Sequence, residues 1–531
     1  MRVMILTLTL LVLTGAFSQE AEAQPALSSS VFVGKQFQTQ NRIDELFLLS
    51  LKKQNAKPSP LCSNEVFVRR VYLDVLGTLP TKENVASFLA DKNAEKRTQL
   101  IDDLLKRREF ADYWALKWSD VLRVKAEFPI NLWPNGAMTY YQWIHQTIRE
   151  NRPYDQFVRE LLISDGSNFR NGASNFYRAV TNKDANTLAE AVAQTFLGTQ
   201  LGVLPEERQK EWAVFFSRVG YKETAQWKEE IVFWTRKPLE SPDVTFPDGT
   251  RGTIKPDQDP RQQFADWLTA PNNRQFQRTI VNRIWLWLFG KGFTADPNDF
   301  RNDSPVVHEE LLDDLCKELV DSRYDLKHLY RLILNSATYQ QSSIPQKSYH
   351  GDPETFVSYP IRRMEAEVLQ DALTQIFSVP PKYQSEVPEP FTNIPVRYRT
   401  IMLPDVSVTS SFLEMFGRAT RDTGLESDRN NDVTESQQLF LLNSTEINNW
   451  TGRFASKYKI DNTRKNIDNA GRNRLMEILD DVWLTILSRY PSSVEREFLK
   501  AEFLTQGVNR EQKFQDVIWS LINSKEFLCK H

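Results

Sequence analysis

The stretch Leu100–Leu122, LIDDLLKRREFADYWALKWSDVL, decides the fold class. Its apolar residues Leu100, Ile101, Leu104, Leu105, Trp114, Trp118, Val121 and Leu122 recur at three- and four-residue steps, the spacing that lines one face of an α-helix. Trp114 and Trp118 share that face with Leu122, so they read as core. The wider cluster of Trp133, Tyr140, Tyr141 and Trp143 offers flat rings that a sugar could use, but large aromatics are more often interior.

The same period recurs on both sides of this stretch. Leu188, Val192 and Phe196 repeat it beside Ala185, Ala189 and Ala193, with Gly202 as the expected stop. Ser304-Pro305 is expected to cap the helix that carries Leu311, Leu315 and Leu319. Ile478, Leu479, Val482, Trp483, Ile486 and Leu487 form another stripe, followed by a capping box from Ser492 to Glu495. Strand-like alternation is confined mostly to Val396–Leu403. The expected fold is predominantly all-α, with two helical domains and long Pro-rich loops. A Pro- and Asp-rich linker at 237–258 would separate residues 41–236 from 259–531, and Val379–Pro404 reads as a long loop within the second domain. No repeat of 20 to 50 residues is visible.

Composition narrows the class. The chain has 531 residues, 40% hydrophobic and 25% charged, with a mean hydropathy of −0.48, which fits a globular protein. Lys and Arg total 66 against 69 for Asp and Glu, so no net charge points to nucleic acid or acidic lipid. At the N-terminus, Arg2 precedes an apolar run from Val3 to Phe17, and Ala21-Glu22-Ala23 supplies a small-x-small cleavage pattern. Residues 1–23 therefore read as a signal peptide, and the protein as secreted or periplasmic and not integral to the membrane. The three cysteines, Cys62, Cys316 and Cys529, form no CxxC and no disulfide framework. Cys316 has the spacing of a core thiol, and pairing of Cys62 with Cys529 is left open.

Motifs for chemistry are absent. The five histidines, His145, His308, His328, His350 and His531, include no i, i+4 pair and no HExxH. His308-Glu309-Glu310 reads as a helix start whose acids suit the macrodipole. Gly290-Lys291-Gly292 lacks the spacing of a phosphate loop, and neither GxGxxG nor GxSxG occurs. Ser358-Tyr359-Pro360-Ile361-Arg362 fits the short S/C-x-P-x-R pattern of sulfatases, but three fixed positions are matched by chance too readily to carry that activity. No catalytic residue, metal ligand or cofactor is assigned.

At Val68–Thr81, VRRVYLDVLGTLPT, with Arg42-Ile43-Asp44-Glu45 and Lys57-Pro58-Ser59-Pro60 upstream, the chain resembles the planctomycete-type secreted, cytochrome-associated domain of unknown function. The second half is similar to that domain's habitual partner, the planctomycete secreted domain of unknown function. The matching runs are DPRQQFADWL (259–268), IVNRIWLWLFGKGF (280–293), DFR (299–301), YDLKHLYRLILNSATYQQSS (324–343) and YPIRRMEAEVLQDAL (359–373). FGRATRD (416–422), LLNS (441–444), LSRYP (487–491) and WSLINSKEFL (519–528) complete the series. The resemblance implies compartment and architecture but no established activity.

The resemblance also implies cysteines that this chain lacks. Relatives commonly carry CxxCH, a haem-attachment motif, just after the segment matching Phe196–Gly202, and C-E-C-E-R after the FGR segment. Here the corresponding runs are Val203–Arg208 and Leu425–Arg429, with neither Cys nor His. Joint loss is read either as one redox or metal function that this member has shed or as chance replacement of structural cysteines, and spacing alone does not choose between them. The motifs retain a charged set, Arg283, Asp299, Arg301, Arg362, Arg363, Glu365, Arg418 and Arg421, with Glu426 and Arg429. Arginine forks paired with carboxylates can brace loops or bind an anionic ligand, and bracing is favoured. The expected function is a non-catalytic binding or scaffold protein at the cell envelope. Its partners would be other secreted proteins or an anionic glycan, and not nucleic acid. An enzyme acting on extracellular polysaccharide, sulfated or not, is the alternative.

Overall fold

The computed structural model describes residues 31–239, 241–296, 298–300, 305–345, 355–460, 469–505 and 509–531. The expected signal peptide, Arg301, Ser304 and His350 lie outside them.

The deciding stretch is helical, in two pieces. Lys96–Lys106 and Arg108–Val121 meet at Arg107, whose extended backbone (φ −69°, ψ 149°) ends one helix and begins the next. The bend falls in the polar run Lys106-Arg107-Arg108-Glu109, where no apolar side chain ties the stripe together. Trp114 and Trp118 are buried, with Trp114 against Tyr330 and Trp287 at ring distances of 4.3 and 5.5 Å. Tyr140 and Tyr141 are buried as well. Trp133 is half-buried and meets Trp227 and Phe391 at the surface.

Capping corrects two expected boundaries. Helix Ala185–Leu197 starts on Asp184, whose side chain accepts from the Thr187 amide, and stops at Gly198 (φ 54°), not at Gly202. Glycine adopts that left-handed turn without a Cβ clash, so the helix ends at the first position that permits it. The helix bearing Leu311, Leu315 and Leu319 begins at Glu309 with His308 at the cap (φ 56°), beyond Pro305. At the far end, Ser492 and Glu495 form the expected reciprocal capping box.

Strands are short and antiparallel. Val219–Glu223 pairs with Glu230–Trp234, which also pairs with Gly166–Ser167. Asp243–Thr245 and Arg251–Thr253 make a hairpin inside the 237–258 segment, turning at Gly249 (φ 87°) after Pro247-Asp248. The Val396–Leu403 alternation does not form a strand; Thr400–Met402 is a 3₁₀ turn tied to the buried Asp371 carboxylate.

One apolar core links both halves of the chain. Buried polar ties cross the same boundary. The Asp44 carboxylate accepts from the Ala337 and Thr338 amides, Arg69 donates to the carbonyls of Ile486 and Phe527, and Arg70 to those of Tyr339 and His531. All three cysteines are thiols, so Cys62 and Cys529 do not pair. No helix among the described residues is long and apolar enough to cross a membrane.

Candidate functional site

Two buried charge clusters lie side by side, and both draw on the Arg108–Val121 helix. The first is built on Asp74 of helix Asn64–Val75 and on Glu365 at the cap of helix Ala366–Phe377. Asp74 accepts from Tyr339 and Tyr359 hydroxyls at 2.9 and 2.8 Å and from the Arg362 guanidinium at 2.6 Å. Glu365 accepts from Lys117 at 2.8 Å and from the Tyr113 hydroxyl at 3.1 Å. Lys530 bridges the two carboxylates, 3.3 Å from Asp74 and 3.0 Å from Glu365. Burial alone would raise the Glu365 carboxyl, but Lys117, Lys530 and Arg362 hold it well below the usual carboxylate range.

The second cluster joins Asp120, Glu367, Arg418, Arg421 and Arg429. Arg429 forks onto Glu367 at 2.6 and 3.0 Å and reaches Asp120 at 2.7 Å. Arg421 donates to Asp120 at 2.9 Å and to the carbonyls of Val124 and Pro404. Arg418 lies 3.4 Å from Glu367 and donates to the Val406 and Val408 carbonyls. Burial opposes ionisation here too, but Arg429 and Arg421 hold Asp120, and Arg429 and Arg418 hold Glu367, below the ordinary range. A cavity of about 10 Å³ is lined by Lys117 of the first cluster and by Asp120 and Arg429 of the second, with Trp287 and Glu426.

The charged set read from the motifs is thus divided. Arg362 and Glu365 meet in the first cluster, and Arg418 and Arg421 in the second with Arg429. Arg363 braces a loop instead, donating to the carbonyls of Phe416, Asn430 and Asn431. Arg283 donates to the Thr195 carbonyl at 2.7 Å and enters neither cluster. Asp299 lies in the segment before Phe300, whose amide bonds the Gly198 carbonyl. Glu426 accepts from the Trp287 indole at 2.9 Å.

Sequence reasoning missed Asp74, Lys117, Asp120, Glu367 and Lys530. For Lys117 and Asp120 a signal was present in WALKWSDVL, where charges interrupt an apolar stripe and must find partners if buried.

Among the described residues a solvent-open cleft of about 600 Å³ lies beside the C-terminal end of helix Ala185–Leu197, and a second open hollow of about 320 Å³ lies between Thr374, Ser378 and Arg397–Arg399. The walls of the cleft include Arg208 and Trp212 of helix Glu206–Ala213, Asp248 of the hairpin turn, Trp267, and Asn272 and Gln275. Trp267 donates its indole N–H to Asp248 at 3.0 Å and stacks on Phe246. Trp212 is buried, and its indole N–H has no acceptor. Among the described residues no three His, Cys, Asp or Glu side chains converge as a metal site.

Two known family models match the chain. Residues 42–203 match the PSCyt2 family model and residues 260–503 the PSD1 model, each described as a protein of unknown function (DUF1549 and DUF1553). The chain thus carries a PSCyt2 region followed by a PSD1 region. No curated protein and no solved structure matches it. The cleft sits where the two matched regions meet: Leu197 and Thr199 come from the PSCyt2 region, Trp267 and Gln275 from the PSD1 region, and Arg208, Trp212 and Asp248 from the segment between them.

The two places where the resemblance expects cysteines lie along one helix of the PSCyt2 region. Glu190 accepts from the Leu201 and Gly202 amides, and one turn later Gln194 donates to the Thr423 carbonyl, just ahead of Leu425–Arg429. The residues at both places, Val203–Arg208 and Leu425–Arg429, offer no thiol for a thioether and no histidine to ligate iron, so they do not fit a covalently attached haem.

Proposed function

We propose that this protein is exported and works at the cell envelope as a non-catalytic binding or scaffold protein. The observation that carries this reading is the state of three acids in the buried charge clusters. Glu365, Asp120 and Glu367 are held ionised by lysine and arginine partners inside the fold, whereas a general acid or base must exchange a proton near the working pH and reach its substrate. Their geometry suits bracing, and ligands are left to the open surface. Export is supported by Arg2, the apolar run from Val3 to Phe17 and Ala21-Glu22-Ala23.

Affinity electrophoresis through gels containing extracellular polysaccharides, with a parallel reducing-end assay, tests the reading. Retardation without sustained release of reducing ends is the expected result, and turnover of any of the polymers would overturn the non-catalytic assignment. Expression of the whole chain in a Gram-negative host should yield a periplasmic product beginning after Ala23. An uncleaved cytoplasmic product would overturn export.

A further inference from the structure

We infer that the hollow between the C-terminal end of helix Ala366–Phe377 and residues 397–399 binds a saccharide through a ring that bears a carboxylate or a sulfate. This rests on the binding-protein reading above and gives it a place on the surface.

The backbone of this wall is tied down. The Asp371 carboxylate accepts from the Thr400 and Ile401 amides at 2.6 and 3.2 Å. The Tyr383 hydroxyl bonds the Tyr398 carbonyl at 3.0 Å and the Thr400 hydroxyl at 3.1 Å. Gln384–Ser385 pairs with Val408–Thr409 and closes the loop that carries them. Yet the side chains point outward: Val396 is 82% exposed and Tyr398 50%, so they add little to the core. A long loop fixed in this way, with its side chains left in water, has the form of a binding loop.

The lining supplies open donors and a preference for anions. Arg397 is exposed, and among the described residues it has neither an ion pair nor a hydrogen bond. Arg399 lies 3.7 Å from Asp371, whose oxygens already serve two amides, and its guanidinium donates no hydrogen bond. The Arg399 Nη2 is enclosed, but the side chain as a whole is 31% exposed and lines the hollow. No aspartate or glutamate shares that lining. Glu109, near enough to feel Arg399, is already bonded to Arg107. The helix end brings about half a negative charge, less than the two guanidiniums, and the Ser378 amide already bonds the Thr374 carbonyl. Guanidinium forks suit the planar or tetrahedral oxygens of a carboxylate or sulfate.

The rest of the lining favours a sugar over a bare ion. Pro380, Pro381 and the Tyr398 ring offer apolar surface to the C–H face of a ring. The hydroxyls of Thr374, Ser378 and Tyr398 have no hydrogen-bond partner among the described residues and can donate to or accept from ring hydroxyls. The volume of about 320 Å³ is at the low end for small-molecule sites, roughly 300–1,000 Å³, which suits one ring with its charged group while the rest of a chain stays in water.

Calorimetric titration of the purified full-length protein with oligogalacturonate, a sulfated dextran oligomer, the plain dextran oligomer and sodium sulfate tests the proposal. At least one acidic oligomer should bind about tenfold or more tightly than plain dextran and sodium sulfate, and the two acidic arms distinguish carboxylate from sulfate. Arg397→Asn removes a charge and tolerates the left-handed backbone there (φ 69°), and Tyr398→Ala removes the ring. Each should weaken the acidic oligomer about tenfold, and Arg397→Asn should do so with an unchanged melting temperature, which keeps the test readable should Tyr398→Ala unfold. Arg274→Ser deletes an equal charge beside the other cleft and should leave the affinity unchanged. Acidic binding unaffected by Arg397→Asn and Tyr398→Ala, or weakened as much by Arg274→Ser, would overturn the hollow while leaving the binding-protein reading intact. Equal binding of plain dextran or sodium sulfate, or no binding of either acidic oligomer, would overturn the ligand class.

Discussion

The buried charge clusters and the open cleft both contain arginines and acids, yet they use them in opposite ways. In the clusters each carboxylate is shared among several cations: Glu365 with Lys117 and Lys530, Glu367 with Arg418 and Arg429. At the cleft, the largely exposed Arg274 pairs with the half-buried Asp313, which Arg278 also holds, and the one unsatisfied donor there, the Trp212 indole, is neutral and buried behind the wall. Charge inside a protein must be neutralised where it sits, so the cluster arginines are consumed by the fold. Charge at the rim costs little to leave in water and remains available to a ligand. A motif rich in arginine therefore indicates a site only once burial is known.

Perturbing the two regions should give effects of very different size. The largest belongs to Glu365→Ala, which strands Lys117 in the core and leaves Lys530 with Asp74 alone. A loss of about 3–5 kcal/mol in denaturant-derived stability is expected, and a loss below about 1 kcal/mol would show that the cluster is wet or loosely held.

Next in size is a pH effect. Burial pulls the His308 imidazole down to about 4 from its ordinary 6.5, against a bond to the Thr355 carbonyl. The unfolded chain then takes up a proton first, so this contribution is fully present above pH 6.5 and is lost as pH falls toward 4. It amounts to at most about 3 kcal/mol. His308→Asn, which tolerates the left-handed backbone there, should reduce the slope of the stability profile between pH 4 and 6.5, leaving the share of His531, whose imidazole burial likewise pulls down to about 4. An unchanged slope would mean that His308 is not the group titrating.

Arg283→Ala comes third. Because Arg283 serves one carbonyl and belongs to neither cluster, the expected cost is about 1–3 kcal/mol, below that of Glu365→Ala. Equal costs would place Arg283 in a wider network. Arg274→Ser should be the mildest, within about 0.5 kcal/mol in thermal or denaturant melts, and a larger loss would show that its pair with Asp313 is held by the fold.

Much of this molecule was legible locally. The three- and four-residue apolar step, the Ser492–Glu495 capping box and the motif runs each depend on residues a turn or a segment apart, and these produced the helical class and the two family regions. Boundaries were less secure where two signals competed, as when Gly198 ended a helix before Gly202 could. The charged set was harder still. Its arginines were visible, but their partners were not, because any guanidinium suits any carboxylate and sequence spacing does not choose between them. Arg362 finds Asp74 across 288 positions, Arg429 finds Asp120 across 309, and Lys530 lies between Asp74 and Glu365. Only packing could decide those pairs, since burial removes water as the alternative partner and leaves each charge the neighbours that the folded core supplies. The cleft was decided the same way: its walls come from three separate segments, and an indole without an acceptor is a property of their assembly, invisible in the order of residues.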